Sequence, residues 1–191
     1  SIVSTMYVET TRKAVLDFFN AGDDYFCVFT ANATQALKIV GESYPFDHHS
    51  YFLLLFDNHN SVNGIREYAK RKGADFEYCP VYLEDLRIDE IKLNKKLSAA
   101  KYKHNKLFAF PAQSNVSGVK HDLKWIETAH ENGWDVLLDA AAFVPTNILD
   151  LQEVKPDYVS ISFYKIFGYP TGVGALLIKK SAFDKLYKPW F

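Results

Sequence analysis

The chain has 191 residues, a formal net charge of −1, 48% apolar residues and two cysteines. That length suits one domain, or one domain and a fragment of another, with apolar content enough for a sizeable core. The near-neutral charge argues against nucleic acid or an anionic membrane as partner, Cys27 and Cys79 fit no disulfide framework or metal-ligand spacing, and no run is long enough for a transmembrane helix.

Residues 4–20 read as a helix, with Gly22 after its end. A strand over 25–30 runs into Ala31-Asn32-Ala33-Thr34, which opens a helix reaching Gly41. A helix N-terminus offers free N–H groups and a positive dipole end, suited to a phosphate, and Thr34 could add its hydroxyl. Equally, Asn32 or Thr34 could simply cap the helix. The strand 51–56 leads to Asp57-Asn58-His59-Asn60, where His59 is either a ring-stacking or acid/base group or a turn histidine satisfied by its neighbours. His48 and His49, in a loop, receive no role. A helix through Lys72 stops at Gly73, and a strand covers 75–79. The lysines from 92 to 106 are interrupted by Leu93, Leu97, Ala99 and Ala100. They read as the wet face of a helix over 88–103 and the turn after it.

The strand 106–110 enters Gln113-Ser114-Asn115, where Asn115 could donate to a ligand oxygen or shape a turn. A helix over 122–132 ends at Gly133, and the strand 134–139 ends on Asp139. A carboxylate there either reaches solvent or meets a cation from elsewhere. The strand 157–162 ends on Ser162 and feeds SFYKIFGYPTG; a strand over 172–179 and a short helix from Ser181 follow. Such β/α alternation with short apolar strands defines an α/β fold, a mainly parallel sheet sandwiched by helices. Ligands in such sheets bind beyond the carboxyl ends of the strands. No signal peptide opens the chain, so a reducing, cytoplasmic setting is expected, and the sequons at Asn32 and Asn115 read as coincidence.

Lys165 lies among Phe163, Tyr164, Ile166 and Phe167. Either it sends its charge to water along apolar surface, or its aromatic surroundings make the amine reactive towards a carbonyl. Together the strand ends offer a phosphate cradle, a stacking imidazole, a ring-oxygen donor, a carboxylate for a pyridinium and a carbonyl-reactive lysine. These are the parts that hold pyridoxal 5'-phosphate.

The segments SFYKIFGYPTGVGALLIKK, LLDAAAFVPTNILDL, FTANATQALKIV, NHNSVNGIREYA and PAQSNVSG resemble those of the class V aminotransferase-like enzymes. That group has the type I pyridoxal phosphate fold and includes the cysteine desulfurases. The chain is most similar to the desulfurase-like domain of molybdenum cofactor sulfurases. The resemblance implies that Ala33 and Thr34 form the phosphate turn and that His59 stacks on the cofactor ring. It also implies that Asn115 lies near the ring hydroxyl, Asp139 pairs the ring nitrogen, Ser162 binds phosphate, and Lys165 is the Schiff-base lysine. His59, Asp139 and Lys165 would carry the chemistry.

Ala142 stands where many desulfurases have Gln, and Tyr164 where many have His; both look like the molybdenum cofactor sulfurase branch. The resemblance further implies a homodimer, a small amino-acid substrate such as L-cysteine, and a sulfur acceptor. The persulfide cysteine would lie beyond Phe191, since neither Cys27 nor Cys79 matches it. Residues 1–191 would then be a large domain without the family's N-terminal segment and C-terminal small domain. An aminotransferase, lyase or epimerase of the same class, or a non-catalytic interaction domain on this fold, are the alternatives.

Overall fold

The computed structural model describes residues 1–187. In chain order the elements are α1 (Ile2–Phe18), β1 (Tyr25–Thr30), α2 (Ala33–Ser43), β2 (Tyr51–Leu55), α3 (Asn60–Asn63), α4 (Ile65–Arg71), β3 (Asp75–Cys79), α5 (Glu90–Ala99), β4 (Lys106–Pro111), α6 (Lys124–Glu131), β5 (Asp135–Asp139), β6 (Tyr158–Ser162), α7 (Tyr164–Phe167), β7 (Gly174–Lys179) and α8 (Lys180–Phe183). Each strand expected from the sequence forms, with end shifts of two residues or fewer.

The seven strands make one sheet in the order β1-β7-β6-β5-β4-β2-β3. Strands β2 to β6 pair in parallel, and β7 runs antiparallel to both β6 and β1. The connection 163–173 between β6 and β7 explains the exception, because it falls short of the dozen or so residues of a parallel crossover. With β7 reversed, β1 points the same way as β2 to β6, and their carboxyl ends share one edge.

Successive residues of each central strand face opposite sides, and both sides are apolar. Leu53, Leu55, Phe108, Phe110, Val136 and Leu138 pack with α5 and α6 residues such as Leu93, Leu97 and Trp125. Phe52, Leu54, Leu107, Ala109 and Leu137 pack with Leu37 and Val40 of α2 and Ile65 and Ala69 of α4. The result is three layers with helices on both faces, as strands buried on both sides require.

One lysine departs from the expected wet face. Lys106, in β4, is only 7% exposed. Its Nζ donates to the Asn132 carbonyl just past the end of α6 at 2.6 Å and lies 5.3 Å from the Trp134 ring centroid. A helix C-terminus and an aromatic face are both favourable to a cation, which is why this one tolerates burial.

Gly174 opens β7 in register with Thr30 on one side and Ser162 on the other. A Cβ there would stand 2.5 Å from the Ile161 carbonyl oxygen and 2.7 Å from Asn32 Cα. Both obstacles are backbone, so no side-chain rotation relieves them. Gly174→Ala is expected to destabilise the chain by about 1–3 kcal/mol, measured as a lowered urea midpoint. An unchanged midpoint would show that the turn at Asn32 yields freely.

Candidate active site

The turn after β1 is built by two reciprocal hydrogen bonds. Asn32 Oδ1 accepts from the Gln35 N–H at 2.9 Å, and Gln35 Oε1 accepts from the Ala31 N–H at 2.6 Å. Asn32 is therefore the cap of α2, which resolves the choice between Asn32 and Thr34 and frees the Thr34 hydroxyl. The Ala33 N–H donates to Ser162 Oγ at 2.8 Å, so the register of β1, β7 and β6 brings Ser162 onto the helix N-terminus. No described residue accepts from the Thr34 N–H. An open N–H, a threonine hydroxyl and a serine hydroxyl thus meet at the positive end of an 11-residue helix.

His59 precedes α3, and its Nδ1 accepts from the Ser61 N–H at 3.1 Å. Ser61 Oγ lies 3.0 Å from the same Nδ1 and 2.8 Å from Thr34 Oγ1. Since a backbone N–H can only donate, the neutral ring carries its proton on Nε2. Ser61 went unassigned in the sequence reading; its signal there is a hydroxyl residue in the first turn of a helix, two places after a histidine.

Asp139 ends β5 and is 8% exposed. Its Oδ1 accepts from Ser160 Oγ at 2.9 Å and the Ala141 N–H at 3.1 Å. Among the described residues it forms no ion pair, and Oδ2 has no hydrogen-bond donor. On the neighbouring loop, buried Ser114 Oγ accepts from the N–H groups of Val116 and Ser117, each at 3.3 Å. Ser114 therefore shapes that turn and leaves the exposed Asn115 amide free. Gln113 beside it, also unassigned from sequence, accepts from Asn147 Nδ2 at 3.2 Å.

Lys165 lies in the single turn of α7 and is exposed, with no hydrogen bond or ion pair among the described residues. The expected aromatic enclosure does not form, since Tyr164 is 37% and Phe167 71% exposed. Phe163 and Ile166 instead pack down on the core. Three positions apart, they occupy one side of the turn and anchor it, while Tyr164 and Lys165 line a cavity on the other.

That cavity, of about 150 Å³, is lined by Ala33, Thr34, His59, Asn115, Asp139, Ser162 and Lys165 together. All seven residues singled out from sequence meet there, with Asn32, Ser61, Gln113, Ala142 and Tyr164 beside them. Among the described residues, no group of three or more His, Cys, Asp or Glu is placed to hold a metal ion, and no helix is long and apolar enough to cross a membrane. Cys27 and Cys79 are buried and neither lines this cavity, and burial pushes their thiols up to about 11 and about 12.

A mainly parallel seven-stranded sheet flanked by helices is the large-domain architecture of the type I pyridoxal phosphate-dependent transferase fold. The chain belongs to the aminotransferase class-V family, whose model matches residues 2–191. It is 38% identical to a molybdenum cofactor sulfurase of Arabidopsis thaliana over 96% of this chain and 26% of that protein. It is 44% identical to that of Bombyx mori over 92% and 24%. Among solved structures it superposes on an apo cysteine desulfurase from Thermococcus onnurineus NA1 with a TM-score of 0.89 and 26% identity, covering all of this chain and 47% of that one. It superposes on the cysteine desulfurase CsdA of Escherichia coli with a TM-score of 0.84 and 24% identity, over 98% of this chain and 46% of that one, a likeness of fold. The chain thus spans about a quarter of the length of the curated relatives and about half of the solved neighbours.

The raised thiol values generate a first chemical expectation. Because each cysteine stays a neutral, buried thiol well past neutral pH, iodoacetamide at about pH 7.5 should label neither in the native chain and both in urea. Fast native labelling at Cys27 or Cys79, read by mass spectrometry, would make that residue a candidate sulfur carrier after all.

Proposed function

We propose that this chain is the cofactor-binding large domain of a pyridoxal phosphate-dependent enzyme of the cysteine desulfurase and molybdenum cofactor sulfurase type. Its substrate would be L-cysteine or a related amino acid. The observation that supports this most directly is one cavity joining an anion cradle, a carboxylate oxygen without a donor and a lysine without a partner. These three chemistries match the three polar ends of the cofactor: phosphate, ring nitrogen and aldehyde. Bound there, pyridoxal phosphate supplies an electron sink for the substrate carbon that loses a proton.

The residues have separable tasks. The Thr34 N–H and hydroxyl and the Ser162 hydroxyl would hold the phosphate. Ser162 Oγ already accepts from Ala33, so its own proton remains to be donated outward. Ser160 and the Ala141 N–H hold Asp139 by Oδ1, leaving Oδ2 to keep a proton on the ring nitrogen. His59 would stack on the ring and Asn115 would donate to its oxygen. Lys165 would anchor the aldehyde, then give and take protons at the substrate. Sulfur would pass to an acceptor cysteine other than Cys27 and Cys79. In the whole protein we place a cytoplasmic homodimer, with an N-terminal segment and a small domain completing the large domain of residues 1–191, whose last four lie outside the described residues.

The test is a visible spectrum with pyridoxal phosphate, run on the chain and on the longer protein. A yellow band that borohydride fixes on Lys165, located by peptide mapping, is the expected result. Lys165→Ala should abolish the band and turnover. Asp139→Asn should keep binding and slow alanine and sulfide formation from cysteine on the order of 10²–10³-fold. Cofactor binding and turnover that survive Lys165→Ala would sink the proposal. Keto-acid formation without sulfide would move it to aminotransferase chemistry.

A further inference from the structure

Two hydroxyls in series connect the phosphate end of the cavity to the imidazole. Thr34 Oγ1 and Ser61 Oγ are 2.8 Å apart, and Ser61 Oγ is 3.0 Å from His59 Nδ1. Each hydroxyl has one proton, and the chain ends on a nitrogen that accepts. Only two proton arrangements satisfy it. In the first, Thr34 donates to Ser61 and Ser61 donates to His59. In the second, Ser61 donates to Thr34 and Thr34 donates into the cavity. The first turns Thr34 lone pairs towards the phosphate end; the second turns a donor there. An anion selects the second.

We infer that Ser61 is a positioning residue that couples phosphate occupancy to His59: an anion held by Thr34 reverses the hydroxyl pair and withdraws the Ser61 O–H from His59 Nδ1. This rests on the reading of the α2 N-terminus as a phosphate site. The ring then remains held by the Ser61 backbone N–H alone, at 3.1 Å. Two consequences separate this arrangement from simple packing. The empty chain holds His59 with two donors and so presents a fixed ring edge. The loaded chain keeps the same tautomer but frees the ring to rotate by one hydrogen bond, so that it can settle against whatever fills the cavity. No covalent bond changes; each oxygen keeps its own proton.

Inorganic phosphate is the probe, because it fills the phosphate end without placing a ring against His59. The chain is labelled with ¹⁵N-histidine and observed at about pH 8.5, above the ordinary imidazole range. Binding is followed independently by ³¹P line broadening. On saturation the His59 Nδ1 resonance should move downfield, as an acceptor nitrogen does on losing a donor, while Nε2 stays protonated. In Ser61→Ala that move should vanish although phosphate still binds; Ser61→Thr, which keeps a hydroxyl, should restore it. Phosphate binding with no Nδ1 move, or with the same move in Ser61→Ala, overturns the coupling and leaves the site reading intact. No binding of either phosphate or pyridoxal phosphate overturns both.

Discussion

The contact between Gly174 and the backbone of Asn32 governs where everything else in the site can stand. Three strands meet there in register, with Thr30, Gly174 and Ser162 side by side. A methyl group on the central residue would collide with Ile161 O and Asn32. The absence of that methyl lets the turn after β1 sink onto the end of β6, and the Ala33 N–H then reaches Ser162 Oγ. The meeting of the α2 N-terminus with Ser162 is therefore a product of sheet register. It joins the first strand of the chain to two late ones, which makes the site dependent on the sheet's longest-range pairings.

Around that contact, polar groups fall into two sets with different purposes. Asn32, Ser114 and Ser160 are spent on the protein, capping a helix, shaping a turn and clamping a carboxylate. The Thr34 N–H, Asp139 Oδ2, the Asn115 amide and Lys165 have no partner among the described residues and line one cavity. Buried polar groups are normally satisfied within the fold. Asp139 is the exception in that its Oδ1 accepts two hydrogen bonds while Oδ2, on a residue that lines the cavity, has no donor among the described residues.

The sequence made the central strands legible because they are apolar on both faces, and the edge strand β3 because Gly73 and Pro80 bound it. It also exposed the candidate site residues, since each terminates a strand or lies in the turn or helix that follows one. Four features were hidden, wholly or in part, for physical reasons. The direction of β7 depends on the length of a loop relative to a crossover, which apolar patterning does not encode. Lys106 looks solvated in a lysine-rich stretch, and only the meeting of β4 with the end of α6 supplies its carbonyl and aromatic partners. The aromatics near Lys165 suggested enclosure, whereas the three-residue spacing of Phe163 and Ile166 makes them an anchor. Ser61 carries only a local signal in the sequence, because its meaning lies in a contact across 27 positions, with Thr34.

The anchoring of α7 also assigns different mobilities to the two charges of the site. Asp139 sits at the end of a central strand, buried and held by two donors. A group there can fix a proton but cannot move. Lys165 sits in a single helical turn that ends at Gly168, at φ 83°, a positive-φ conformation that favours glycine. Its side chain carries four rotatable bonds and no partner that would hold them. Under the proposed function, a carboxylate holding one proton throughout a reaction would gain from rigidity, while an amine that binds, releases and then shuttles protons would gain from reach. The proposed roles would then fall on elements suited to them: the strand for the fixed charge, and a short turn pinned by two apolar side chains for the moving one.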